Sequence, residues 1–378
     1  MNLRDMVAIP GVELLSLDRD TDVRRWNALV DAAPVPDVYF RPGYLRACQA
    51  AGHGCGGALL IASGATRVLL PLLFRDLRLG FEHAVAGCDA LTPYGYGGLL
   101  PLTPSTLSHD SVVSTLALFR RWCAENRVVS CLVRLHPLLD QGNAFEGLDG
   151  PALELRRFGP TVALDLTHWD WDADCLSGMT KGRRSDLSVA RKQLQLTWAS
   201  EGHNPSGKEL RARDCLQVFR DLYEQRMEEL HASEFYHFPP QYYSALVSGL
   251  GDQLGISLAW LDDRAVGAAI FMFDRHFAHY HLSATDHSGR AAKATTLMIH
   301  AAASRARACG CTTLHLGGGA PGSGKLFEFK RSFGGRVHTY SFVTIIADRE
   351  RYDALVRQRV SHPNLPPPRP NFFPLYRA

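Results

Sequence analysis

ISLAWLDDRAVGAAIFMFDR, residues 256–275, reads as a single β-hairpin. Two apolar runs flank the polar turn LDDR. Runs rich in β-branched and aromatic residues suit paired strands, and such a turn can reverse the chain. The plan recurs at ALLIASGATRVLLPLLFRD, residues 58–76. Each copy has an apolar strand, a short polar turn, an arginine and a second apolar strand ending in Phe and charges. The copies lie roughly 200 residues apart, which predicts an internal duplication with one hairpin in each of two domains. The length agrees, because 378 residues exceed one typical core.

Composition narrows the class. Hydrophobic residues make up 46% and charged residues 21%, an ordinary globular balance rather than a disordered one. The net charge of +3 permits a polyanionic partner without demanding one. No run of about 18 apolar residues is present, so no membrane span is expected. The N-terminal MNLRDMVAIPGVELLSLD lacks a signal-peptide apolar block, and the expected location is cytoplasmic. The nine cysteines show no C-x-x-C spacing and read as reduced packing thiols.

Beyond the second hairpin, RHFAHYHLSAT reads as a strand and DHSG as a turn. RAAKATTLMIHAAASRARAC reads as a helix stopped at Gly310, and TTLHL as another strand. This strand–helix–strand order implies neighbouring parallel strands. Residues 170–195 predict a helix with Leu176, Met179, Leu187, Ala190 and Leu194 on one face. Residues 206–231 predict another, opened by a Ser206/Glu209 capping box and striped by Leu216, Phe219, Tyr223, Met227 and Leu230. The proline-rich tail, SHPNLPPPRPNFFPLYRA, is expected to wrap the surface or stay disordered.

LGGGAPGSGKL, residues 316–326, contains the G-x-x-x-x-G-K of a phosphate-cradling loop. A P-loop needs Ser or Thr after the lysine to hold magnesium, and here that residue is Leu326. It also needs a long helix, and LFEFKRSF gives barely two turns before Gly334 and Gly335. Nucleotide hydrolysis is therefore not the expected chemistry. The loop still sets Phe329 and Lys330 near the C-terminal end of a strand, where open α/β sheets bind ligands.

LHLGGGAPGSGKLFEFKRSFGG resembles the closing motif of the Fem-type aminoacyltransferases, within the GNAT acyltransferase superfamily. DALTPYGYGG (89–98) resembles their tyrosine-glycine stretch, and MTKGRRSDLSVARKQLQLTW the helix where their second half begins. The resemblance implies an α/β fold of two tandem GNAT-like domains, each a mixed, mostly antiparallel sheet flanked by helices, with an inter-domain cleft for the acceptor. The expected boundaries are 1–165 and 166–348, with a tail at 349–378. It implies amide formation: an aminoacyl group passes from aminoacyl-tRNA to the amine of a peptide-like acceptor, a natural-product intermediate or a cell-wall precursor. No cofactor, metal or DNA is implied. CoA-binding GNAT enzymes carry R/Q-x-x-G-x-G/A before the central helix. Here Arg290–Thr295 puts Lys293 at the first glycine, and its side chain would crowd a backbone–phosphate approach. The Q-x-x-x-W pattern with its following lysine, found in members acting on nucleotide-linked precursors, is missing from YFRPGYLRACQAAGH.

An aminoacyl ester is already activated, so the enzyme must position an amine and stabilise an oxyanion. By resemblance Lys330 lies close to the transferred group, with Phe329 as a wall. Arg226 falls near the apolar stripe that contains Tyr223, where a charge must be paired or face a polar cleft. Tyr94 and Tyr96 alternate in an extended stretch and offer hydroxyls on one side. Asp89 is a candidate to hold an amine, and Tyr280 to contact the acceptor. Lys181, Arg183, Arg184, Arg191 and Lys192 form a basic helix suited to tRNA phosphates, joined by Lys293 and Lys325. His279 and His281 share a strand face near His276 and His287. Without a carboxylate or cysteine at ligand spacing they read as strand-surface histidines rather than metal ligands. The alternatives are an acyl-CoA-dependent N-acyltransferase and a non-catalytic binder of peptide or glycan.

Overall fold

The computed structural model describes residues 2–78, 86–167, 178–319, 324–362, 365–369 and 371–378. The centre of the glycine loop (320–323) and the expected face residue Leu176 lie outside these. The chain forms two compact units, Met1–Phe158 with Thr339–Ala378, and Gly159–His338.

In chain order the main elements are β1 (Val12–Ser16), α1 (Asp20–Asp31), α2 (Pro42–Ala50), β2 (Cys55–Ser63), β3 (Thr66–Asp76), β4 (Cys88–Leu91), β5 (Leu100–Thr103), α3 (His109–Glu125), β6 (Val128–Arg134), α4 (Gln141–Phe145) and β7 (Leu153–Asp165). Then come α5 (Lys181–Gln193), β8 (Gln195–Trp198), α6 (Ala212–Glu229), α7 (Pro240–Leu250), β9 (Leu254–Leu261), β10 (Arg264–Phe273), β11 (Phe277–Thr285), α8 (His287–Ala291), α9 (Ala294–Ala308), β12 (Thr313–Gly317), α10 (Gly324–Arg331), β13 (Arg336–Ile346) and α11 (Arg349–Val360). The two hairpins expected from sequence are β2–β3 and β9–β10.

The first unit orders its strands β1-β2-β3-β4-β6-β13, with β5 on β3; the second orders them β8-β9-β10-β11-β12-β7. In the first, β4 and β6 run parallel, joined through α3. In the second, β11 and β12 run parallel, joined through α8 and α9. The remaining pairings described within the units are antiparallel. The two units thus repeat one strand topology. Their sixth strands are exchanged in sequence: β7 comes before the rest of the second unit, and β13 returns to the first unit after it. The chain crosses between units within β7 and within β13. The expected boundaries at 165 and 348 are displaced for this reason.

The tail is not a loose appendage. Residues 349–360 form α11, and Tyr352, Leu355 and Tyr376 pack with Leu77 and Val129 of the first unit. The main core of that unit joins Leu59, Val68, Trp122, Val133 and Val343. In the second unit Leu187 and Ala190 of α5 pack with Met298 and Ala302 of α9, Phe271 and Leu314.

Three local expectations need correction. α6 starts at Ala212, where Asp214 accepts from the Arg211 amide, because 203–209 closes its own turn through a His203–Glu209 bridge. Its buried face carries Cys215, Phe219 and Tyr223, and Leu230 is 53% exposed. The central helix breaks at Lys293, whose φ of 65° is left-handed, so α9 starts one residue later. His279 is buried at 1% exposure rather than on the strand surface.

Candidate active site

Lys330 sits on α10, the short helix after the glycine loop. It is 7% exposed, and its Nζ donates to the carbonyl of Gly318 at 2.5 Å, just past the end of β12. The Tyr280 ring lies 5.7 Å from the same nitrogen. Among the described residues no carboxylate pairs with this amine. Burial alone pulls its pKa down to about 8. A lysine buried without a counter-ion is costly, and such groups cluster at functional sites.

Tyr280 comes from β11, and its hydroxyl hydrogen-bonds Ser283. Burial pushes its pKa up to about 12, so it remains a neutral phenol. On the same strand, His281 meets the Tyr242 hydroxyl at 2.7 Å. Burial first, and then the neighbouring His279, lower its pKa to about 3, which keeps the imidazole uncharged. The structure therefore brings Lys330 and Tyr280 together, as neighbours contributed by α10 and β11. Closing the α10 turn requires bare backbone. A Cβ on Gly334, whose φ is +86°, would come within 2.4 Å of the Gly178 backbone.

Phe329 faces a different partner. The Arg183 guanidinium stacks 4.2 Å from its ring centroid and 5.2 Å from that of Phe333. Arg183 also donates to Ser332 Oγ at 2.9 Å, Asp186 at 2.8 Å and Thr296 Oγ1 at 3.1 Å. It ties α5 to α9 and α10 and is not available to a phosphate backbone, a correction to its reading as a tRNA contact. The clue was in the spacing: 183, 187, 190 and 194 fall on one helix face. Lys181, Arg184, Arg191, Lys192 and Lys325 are exposed. Lys293 reaches Asp186 at 3.8 Å.

Arg226 lies on α6 beside buried Tyr223, but it is paired. Its Nη1 donates to Glu229 at 2.7 Å, and Arg290 reaches the same carboxylate at 3.2 Å. Tyr223 stacks on Phe219 with centroids 5.5 Å apart.

In the first unit the tyrosine-glycine stretch follows β4. Tyr96 packs edge-on against Tyr39 at 5.7 Å and Tyr340 at 5.1 Å. The carbonyl of Tyr94 accepts from the Tyr44 hydroxyl at 2.6 Å, and that of Gly95 from Tyr340 at 3.4 Å. Gly95 has φ +94°, and a Cβ there would come within 2.3 Å of the Tyr39 ring. Gly95→Ala is expected to cost about 2 kcal/mol in urea unfolding, through left-handed strain and overpacking. An unchanged midpoint would show that the loop has room.

Asp89 is fully buried and already engaged. Its Oδ1 accepts from Arg75 Nε at 2.5 Å; its Oδ2 accepts from Arg377 and, at 3.2 Å, from the Tyr376 hydroxyl. That occupancy corrects its reading as an amine holder. Two features of this unit were missed in the sequence. Asp37 and His136 are both wholly buried, with Nε2 3.3 Å from Oδ2, while Nδ1 accepts from the Leu138 amide at 3.2 Å. Arg134, at the end of β6, is held by Thr92: its amide donates to Oγ1 at 2.8 Å and its Nη1 to the carbonyl at 2.7 Å. Neither leaves a local sequence signal, because the partners come from distant segments.

Residues 181–331 match the family model described as an acetyltransferase (GNAT) domain. The fold is shared with solved structures at low identity. FemX aligns at 13% identity and a TM-score of 0.65, covering 88% of this chain and 98% of its own. The C-terminal domain of an assigned lysylphosphatidylglycerol synthetase from Agrobacterium fabrum aligns at 14% identity and 0.52, covering 86% and 92%. L-PGS from Bacillus licheniformis aligns at 10% identity and 0.52, also covering 86% and 92%. No curated protein matches the sequence. The protein therefore has a Fem-like tandem GNAT fold and carries a GNAT domain. Among the described residues, no helix is long and apolar enough to cross a membrane.

Proposed function

We propose, with a GNAT acyltransferase domain at 181–331 as the premise, that the protein forms amides by moving an aminoacyl group from aminoacyl-tRNA to the amine of a peptide-like acceptor. The observation that carries this reading is Lys330: a buried amine without a carboxylate partner, oriented by the Gly318 carbonyl beside a neutral tyrosine. In the proposed reaction the acceptor's neutral amine attacks the ester carbonyl. A C–N bond forms as the C=O π pair moves onto oxygen. The intermediate then expels the ribose oxygen, and the proton lost by nitrogen ends on that hydroxyl. The developing oxyanion is what the Lys330 ammonium would stabilise, with Tyr280 near it.

Two features support a tRNA donor. Lys293 stands in the left-handed turn before α9, where CoA-dependent relatives present a bare glycine. The exposed cations Lys181, Arg184, Arg191, Lys192 and Lys325 suit sequence-independent phosphate contacts. A lysylphosphatidylglycerol synthetase with this fold is, by its name, concerned with a lysyl group, which agrees with aminoacyl chemistry. The acceptor would be a natural-product intermediate or a cell-wall precursor, with Tyr94, Tyr96, Tyr223 and Arg226 as candidate contacts. Arg226 could serve only by releasing Glu229.

The second reading, an acyl-CoA-dependent N-acyltransferase, is favoured by the match to an acetyltransferase model. A ribonuclease test separates them. With charged tRNA pools and candidate amines, product formation read by mass should disappear after ribonuclease treatment. Turnover that survives ribonuclease and requires an acyl-CoA would overturn the tRNA donor.

A further inference from the structure

We propose that Arg134 is an oxyanion-binding residue of the first unit, recognising a carboxylate or phosphate on a small-molecule substrate. Identifying that substrate with the acceptor rests on the acyl-transfer reading above; the binding site itself does not.

Arg134 is half-buried, and among the described residues it has no carboxylate partner. A partly desolvated cation without a counter-ion is expensive to keep unless something else benefits from it. Asp89, the acid of β4, is committed to Arg75 and Arg377. The side chain is also fixed. Thr92 holds both its amide and Nη1, so the guanidinium is oriented before any ligand arrives. One donor of the five is spent on the Thr92 carbonyl, which leaves the other N–H groups for two-point recognition of an oxyanion.

Gly97 and Gly98 pass beside the end of β6 without side chains; a Cβ on Gly98, whose φ is +98°, would come within 2.1 Å of Gln141 Oε1 and 3.3 Å of the Arg134 carbonyl. The Tyr340 hydroxyl donates to the Gly95 carbonyl at 3.4 Å, and burial pushes its pKa up to about 12, with Arg134 pulling the other way. His53 is held below its ordinary pKa by burial, then by Arg134 and Arg75. The groups that sense Arg134 therefore remain neutral, and no anion among them competes with a ligand.

The test is calorimetric titration of the full chain with inorganic pyrophosphate and, separately, citrate, with no donor present. The variants are Arg134→Gln, Arg134→Lys and Arg121→Gln, the last an exposed control on α3. Wild type should bind one probe saturably. Arg134→Gln should weaken binding roughly 10- to 100-fold, the worth of one charge-assisted contact. Arg134→Lys should fall between, since lysine keeps the charge but loses the planar fork. Arg121→Gln should bind like wild type. A preference for pyrophosphate points to a phosphorylated substrate, and for citrate to a carboxylated one. Absence of saturable binding to either probe, or equal binding by wild type and Arg134→Gln, overturns the proposal. Thermal midpoints check folding, and Arg134→Lys carries the test if the glutamine variant unfolds. Because turnover is not measured, failure here leaves acyl transfer standing, and failure of acyl transfer leaves the titration readable.

Discussion

Replacing Lys330 with methionine is expected to slow amide formation by about 100-fold, the usual loss for one transition-state donor, and to make the folded chain more stable. The second effect follows from burial. Folding lowers this amine from its ordinary 10.5 to about 8, so the unfolded chain binds the proton more tightly. At neutral pH that difference opposes folding by about 3 kcal/mol. Methionine removes it, although Gly318 loses a donor worth about 1 kcal/mol. The net gain should be about 2 kcal/mol. The sign with pH is fixed. Below about 8 both states are protonated and the variant's advantage is full. Between about 8 and 10.5 the unfolded state holds more protons, so wild-type stability rises with pH and the advantage shrinks. Activity that needs the ammonium should decline as pH climbs past about 8. Urea unfolding and kcat/KM at several pH values check all three. A variant that is both fully active and less stable would mean that Lys330 is a structural lysine.

Asp89→Ala should destabilise the first unit by about 3 kcal/mol. Its carboxylate is 0% exposed, while its partners Arg75 and Arg377 are 24% and 20% exposed. Removing the anion leaves two guanidiniums facing each other, partly screened by solvent, and takes one acceptor from the Tyr376 hydroxyl, which keeps Ser130. Arg377→Ala should cost less, since Arg75 still satisfies Asp89. The double variant should lose less than the sum, because the groups form one network. Equilibrium unfolding of the four proteins gives the coupling. Additive losses would show that Asp89 and Arg377 are not energetically coupled.

Local patterns were legible in the sequence where neighbours in the chain decide the structure. Both hairpins were, because alternation and turn chemistry act over a few residues. So was the strand–helix–strand crossover with its stop before Gly310. Charge alone does not distinguish Arg183 from its exposed neighbours on α5, whereas its position relative to Leu187 and Ala190 turns it inward. Asp89 and Arg377 lie 288 residues apart, and no local rule anticipates such a partner. The burial of Tyr376 was hidden for the same reason, whereas α11, at 349–360, carries no proline and was hidden only by being grouped with the proline-rich residues after it. In the candidate site, Lys330 and Tyr280 were nameable in advance, whereas Arg134 and the Asp37–His136 pair depended on which strands become neighbours.

The exchange of β7 and β13 has a consequence for biosynthesis. A ribosome delivers β1 to β6 early, yet the sheet they build still lacks its last member, which emerges only after all of Gly159–His338 has been made. The nascent amino-terminal half must therefore wait with an open hydrogen-bonding edge. Severing the gene at the apparent midpoint would separate each half from a strand it needs, whereas a circular permutant that begins at β7 would deliver the second half whole.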